Sequence, residues 1–272
     1  MNGVIEIAPW QLAIATGFII VAAVLSLLLS LGFVRSLLIA TLRTYLQLGA
    51  LGFALRWVFG RDSALLVLGI LTVMMVMAAK TVLKRLPGAP AGIFPKVLNA
   101  VFISGVTVTF TVTALIIGVE PWHKAAYVIP ICGMVIGNSM TGLALSLERA
   151  FSDLRKRRDE IDTLLALGAT PREAALPSIR TALTAGLLPT INAMSAVGIV
   201  FIPGMMTGQI LAGSDPARAA AYQIVVMLMV SAATALGSVI AVMTTYGLAF
   251  DDDGRFVLPG NGAEKRTGRH HV

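Results

Sequence analysis

Two short stretches carry the side chains best suited to meeting a solute. Ile129-Pro130 leads into Gly133-Met134-x-x-Gly137-Asn138, and Ile202-Pro203 leads into Gly204-Met205-x-x-Gly208-Gln209. Each combines a proline, two glycines four residues apart and a side-chain amide. Within an apolar helix the proline frees a backbone carbonyl and the glycines let a neighbouring helix approach closely. The amide sits beside that contact, and polar groups inside membranes usually face the protein interior. Neutral amide oxygens and the thioethers of Met134, Met205 and Met206 could hold a soft or transition-metal cation loosely enough to release it. The rival reading gives Pro130, Gly133, Gly137, Pro203, Gly204 and Gly208 to tight helix packing alone, with the methionines filling gaps. Arg43-x-x-x-Gln47 adds a polar pair on one helix face, where Arg43 either faces an inner cavity or reaches back to the membrane surface. The candidate transport path is therefore Arg43, Gln47, Met134, Asn138, Met205, Met206 and Gln209.

Other chemistries are excluded by what the sequence lacks. No aspartate or glutamate falls within an apolar run, and the histidines, His123, His270 and His271, lie at an edge or in the tail. A proton relay through the membrane needs such groups in its interior, so proton-coupled transport is not expected. No G-x-x-x-x-G-K-[ST] occurs, which removes nucleotide binding through a P-loop. No Ser/His/Asp set or cluster of metal ligands supports an enzyme, and the lone Cys132 gives neither a disulfide nor a zinc site. The chain is expected to bind no cofactor of its own. If it moves a solute uphill, the energy comes from a partner.

A charged segment, Glu148 to Arg180, offers the place for that partner. Arg155–Asp159, Lys156–Glu160 and Arg158–Asp162 are each four residues apart and can pair along a helix, over a stripe formed by Leu154, Ile161, Leu164, Leu165 and Leu167. Gly168 then stops the helix, Thr170 caps the next one, Pro171 opens it, and Glu173 closes a capping box with Thr170. The spacing predicts helix, sharp turn, helix at the membrane surface. The alternative is a passive connector.

The rest of the chain must hold these residues in place, and it is built of apolar runs. The protein has 272 residues, 57% hydrophobic and 13% charged, far from the roughly one-quarter charge of soluble domains. Runs at 10–33, 37–58, 63–83, 97–119, 125–147, 183–212 and 219–250 are each long enough to cross a bilayer, the sixth of them interrupted by Pro189 and Pro203. This is an all-α, polytopic pattern with about seven spans over residues 1–250, and with 251–272 as a disordered tail. Of 21 basic residues, Arg56, Arg61, Lys124 and Arg218 fall on one side and all others on the opposite side. That bias predicts an N-out, C-in orientation with the charged segment cytoplasmic, and it assigns the +7 net charge to topology rather than to nucleic acid.

Leu167-Gly168-Ala169-Thr170-Pro171 between two helices resembles the coupling element of ATP-binding cassette permeases. A longer set of motifs resembles the FetB-type iron-export permease family, which includes plant permeases linked to aluminium tolerance. It comprises Gly204-Met205-Met206-Thr207-Gly208, Gly213-Ser214-Asp215-Pro216 and Tyr222-Gln223, with Arg43-x-x-x-Gln47, the stretch from Ile129 to Asn138, and the turn itself. The resemblance implies a permease, dimeric, in a bacterial inner membrane among lipid, with a separate cytoplasmic ATPase that binds ATP and magnesium. It implies Leu167, Gly168, Ala169, Thr170, Pro171 and Glu173 as the coupling residues, and iron or another metal as exported cargo. Rival readings are a permease for a nucleotide sugar or amphiphile, and a carrier or channel without a partner.

Overall fold

The computed structural model describes residues 7–61, 63–86 and 88–258. These residues form α1 (Pro9–Leu28), α2 (Val34–Phe59), α3 (Ala64–Lys84), α4 (Ile93–Phe110), α5 (Ala125–Lys156), α6 (Arg158–Ala166), α7 (Pro171–Ala196), α8 (Gly204–Leu211) and α9 (Pro216–Thr245). A π turn, Thr111–Ile116, extends α4, and a 3-10 turn, Tyr246–Ala249, follows α9. No strand longer than an isolated bridge occurs among the described residues.

The helices α1 to α5 and α9 are long and apolar enough to cross a membrane. The sixth apolar run, 183–212, is not one helix: α7 carries its first half, residues 197–203 are non-helical, and α8 completes it. The break opens at Gly198, whose φ of 82° is left-handed, and Pro203 bounds its far end, since it lacks an amide proton and disfavours helical geometry at Ile202. Pro189 does not interrupt the run as expected: α7 continues through it and through Pro177, just as α5 continues through Pro130. Each proline removes one hydrogen bond, and packing on neighbouring helices holds the rest of the ladder.

The described residues divide into two compact units, one from the stretch before Ser63 with 208–215, the other from 63–207 with those from Pro216 onward. In the first, α1 and α2 pack together through Tyr45, whose hydroxyl donates to Leu12 O at 3.1 Å and meets Thr16 Oγ1 at 2.7 Å. Most of their other apolar side chains, Phe18 and Phe53 among them, are exposed, as suits helices bathed in lipid.

In the second unit α5 is the axis, packed against α3, α4, α7 and α9. Leu143, Leu147, Phe151 and Leu154 of α5 are buried with Val82 of α3, Val97 of α4, Ala182 of α7 and Val242 of α9. Small residues set the closest approach: a Cβ placed on Gly142 of α5 would lie 2.7 Å from Gly186 O of α7 and 2.5 Å from Thr234 Cγ2 of α9. This is the small-residue contact expected at the two proline-linked glycine pairs, found instead at Gly142 and Gly186. Gly137, Gly204 and Gly208 have nothing within 4 Å of where a Cβ would stand, and Gly133 meets only Met74 Cε at 3.3 Å.

The tail corrects the expectation of disorder over 251–258. Phe250 bridges to Phe256, their rings stack edge to face at 5.6 Å, and Val257 N donates to Ala249 O at 2.9 Å. Phe256 and Leu258 are buried in the same core as Ile161, Ala174 and Ile179, so apolar side chains anchor a segment whose composition is polar. The remainder of the tail, 259–272, lies outside the described residues.

Candidate coupling turn and transport cavity

The charged segment folds as the sequence predicts at its tip and differently at its base. At the tip α6 ends in a Schellman turn: Gly168 (φ 91°) donates to Leu165 O at 3.0 Å and Ala169 donates to Leu164 O at 3.0 Å. α7 starts at once with its capping box. Thr170 N donates to Glu173 Oε2 at 2.8 Å, Thr170 Oγ1 donates to the same oxygen at 2.8 Å, and Glu173 N donates to Thr170 Oγ1 at 3.3 Å. The Thr170 backbone amide and then its hydroxyl hold the Glu173 carboxyl below its usual range. The tip exposes Leu167, 80% accessible, between two capped helix ends.

At the base, α5 ends at Lys156 and α6 begins at Arg158, so the expected continuous helix bends at Arg157. The Arg155–Asp159 and Lys156–Glu160 spacings straddle this bend, and Arg155 Nη2 donates to Gly88 O at 2.6 Å. Arg157 instead grips Glu160 through two hydrogen bonds of 2.9 and 2.6 Å and donates to Ser178 Oγ of α7 at 2.8 Å. The Glu160 hydrogen bond raises the Arg157 pKa and lowers that of Glu160. Arg158–Asp162 pairs as expected, at 3.7 Å, and Arg158 also reaches Leu258 O at 3.4 Å. Below these contacts Ile161, Ala174 and Ala175 are fully buried between α6 and α7. The turn is thus the outer corner of a braced element rather than the tip of a loose loop.

The candidate path residues separate into groups. Met134, Gly137 and Asn138 of α5, with Pro203, Gly204 and Met205, line one cavity of about 590 Å³ together with Pro189 and Thr190 of α7 and Gln223 of α9. Met206 lines a second cavity, of about 330 Å³, with Met194, Gly198 and Gln223. Arg43 and Gln47 are exposed on α2 in the first unit, to which Gln209 also belongs, and none of the three lines either cavity. Pro130 and Gly133 do not line the larger cavity.

Asn138 donates its amide Nδ2–H to Met134 O at 2.8 Å, which leaves its oxygen as the free acceptor. Gln223 belongs to the signature dipeptide but was not placed on the path; a polar side chain within the apolar run 219–250 was the signal available for it. Thr141 and Thr190 complete the polar lining, and no charged side chain is among the residues that line this cavity.

Six apolar helices, a central bundle and a braced surface corner define a polytopic α-helical membrane protein. A family model described as "Uncharacterised protein family (UPF0014)" matches residues 9–250, and the chain belongs to this family of membrane proteins. It is 36% identical over 240 residues to UPF0014 membrane protein YjkA of Bacillus subtilis, covering 88% of this chain and 94% of that one. It is 33% identical over 223 residues to protein ALUMINUM SENSITIVE 3 of Arabidopsis thaliana, covering 82% and 80%. It is 32% identical over 236 residues to the probable iron export permease protein FetB of Escherichia coli, covering 87% and 90%. No solved structure matches the chain.

Proposed function

We propose that the chain is the membrane-spanning permease subunit of an ATP-binding cassette exporter, dimeric in a bacterial inner membrane and driven by a separate cytoplasmic ATPase. The observation that carries this reading is the corner between α6 and α7, where Leu167 stands exposed on a turn whose two helix ends are capped and whose base is clamped by Arg157. A surface loop serving only as a connector needs no such bracing. A partner pressing on Leu167–Ala169 would move α7 as a unit, because the helix runs unbroken from Pro171 to Ala196. Thr190, in the cavity wall, lies about 29 Å along that helix from Pro171 at about 1.5 Å per residue. Force applied at the turn therefore reaches the cavity through one rigid element. ATP and magnesium would bind on the partner, and this chain would catalyse nothing itself. An N-out, C-in orientation, which the bias of the basic residues supports, would put the corner on the side where that ATPase works.

The likeness to the probable iron export permease protein of Escherichia coli supports iron, or another metal, as the exported cargo. A second reading, export of an amphiphilic solute or a nucleotide sugar, is favoured by the cavity volume of about 590 Å³, far larger than a bare ion requires. The test is to co-express the chain with candidate ATPases, purify the complex, and measure ATP hydrolysis across metal ions and organic solutes. A co-purifying ATPase stimulated by a cargo supports the proposal. A chain that transports alone, with no ATPase retained, overturns it.

A further inference from the structure

The non-helical stretch 197–203, between α7 and α8, stands between the two cavities. Phe201, Ile202 and Pro203 line the larger one, Val197 and Gly198 line the smaller, and Gln223 and Met227 of α9 border both. The cavities follow one another along the bundle: Pro189 to Ala193 line the larger and Met194 to Gly198 the smaller, which therefore lies farther from the corner. On α9, accordingly, Ala220 lines only the smaller cavity and Val230 only the larger. Non-helical backbone at membrane depth is tolerated where it lines a cavity, and this stretch lines two. It is lightly held. None of its residues is buried, and Ile199 and Val200 at its tip are 88% and 77% exposed. Gly198 N donates to Phe201 O at 2.9 Å and Val200 N donates to Ala196 O at 2.8 Å. Its backbone hydrogen bonds run within the stretch, back to α7 or on to α8, and none among the described residues joins it to α5 or α9. Few buried contacts and purely local bonds mark the segments of a fold that rearrange most easily.

We propose that 197–203 is the gate of the transport path, dividing it at Gln223 and Met227 in this structure and joining the two cavities into one passage when α7 shifts. The inference rests on the reading of the larger cavity as the path and of α7 as the helix an ATPase moves, and it locates the barrier that such a shift removes. Because the stretch is hydrogen-bonded to α7 and not to α9, it follows α7 when the two helices move apart. Gly198 is the hinge: its φ is 82°, a conformation glycine adopts and leaves freely, and a Cβ placed on it would meet nothing within 4 Å. Phe201, the largest side chain of the stretch, is the bulk of the barrier, and its carbonyl is the one that Gly198 N holds.

The experiment uses the full chain in intact cells, expressed without an ATPase and in a background without Cys132, so its failure leaves the co-purification test of the proposed function untouched. A charged, impermeant methanethiosulfonate is added outside and its rate of reaction is measured. Ala220→Cys, in the smaller cavity, should react readily. Asn138→Cys, in the larger, should react at least about tenfold more slowly, because only a minor open state admits the reagent. Phe201→Ala should remove that difference. Gly198→Ala keeps every bulky side chain of the stretch but strains the closed form, since a left-handed φ disfavours alanine. It should speed Asn138→Cys about fivefold or more and leave Ala220→Cys unchanged. Equal rates at the two cysteines in the otherwise unsubstituted chain, or no reaction at Ala220→Cys, overturn the inference. So does an Asn138→Cys rate that neither Phe201→Ala nor Gly198→Ala changes, or that Gly198→Ala alone leaves unchanged, which makes the stretch a fixed wall. A rise that Ala220→Cys shares overturns it too.

Discussion

Gly186→Ala is the sharpest perturbation of the bundle, because it acts on the helix that links the surface turn to the cavity. A Cβ at this position would lie 1.8 Å from Ser146 Oγ and 2.6 Å from Gly142 O. The serine hydroxyl has no partner and can rotate aside, so that clash is relieved. The Gly142 carbonyl is backbone and cannot. A carbon–oxygen contact settles near about 3.3 Å, so α5 and α7 must part by about 0.7 Å along their shared face. Such overpacking costs about 1–3 kcal/mol, against about 1 kcal/mol returned by alanine's higher helix propensity, which leaves the variant less stable by up to about 2 kcal/mol. Gly137→Ala is the control: its Cβ would meet nothing within 4 Å, so it should be neutral or slightly stabilising. Thermal unfolding in detergent, followed by helical circular dichroism, reads both variants. If Gly186→Ala melts with or above the unsubstituted chain while Gly137→Ala melts below it, the assigned helix contact is wrong.

The capping box makes the start of α7 sensitive to acid. The Glu173 carboxyl is held below its usual range, so its stabilisation is complete above that range and is lost as the pH falls through the lowered value. Amide exchange at Thr170, corrected for its intrinsic pH dependence, should lose protection on acidification, and Glu173→Gln should abolish that dependence. Orientation is checked in a background without Cys132. A cysteine near Asp215 should react with an impermeant thiol reagent from outside and one near Arg157 should not; the reverse pattern inverts the topology. For the path, Asn138→Leu should reduce transport by the assembled complex more than Met134→Leu, Met205→Leu or Met206→Leu. Normal transport by all four variants would move the path elsewhere.

Local signals made the surface corner readable before the fold was known. Gly168, Thr170, Pro171 and Glu173 act within one turn of each other, and their geometry depends on little beyond their own sequence. The bend at Arg157 was not readable, because no glycine or proline marks it; it accompanies Arg157 turning to Ser178 of a distant helix. The closest helix contact could not be located from glycine spacing. Gly142 and Gly186 meet only because α5 and α7 pack in one register, which no spacing within either helix reveals. The cavity was partly legible through Met134, Asn138 and Met205, whereas Gln223 needed α9 placed beside α5 and α7. The folded part of the tail was hidden by its acidic and glycine residues, which surround the apolar anchors Phe250, Phe256 and Leu258.

If Leu167 and its turn transmit force from an ATPase, Leu167→Asp should break that link with little cost to folding, since the side chain is 80% exposed. The measurement is retention of the co-expressed ATPase on the affinity-purified chain, with cargo-stimulated hydrolysis read on the same sample. The variant should keep its yield and melting temperature and lose the ATPase by about tenfold or more, as expected when an anchor at an interface centre is replaced by a charge. A Leu167→Asp chain that still retains a fully stimulated ATPase would contradict it.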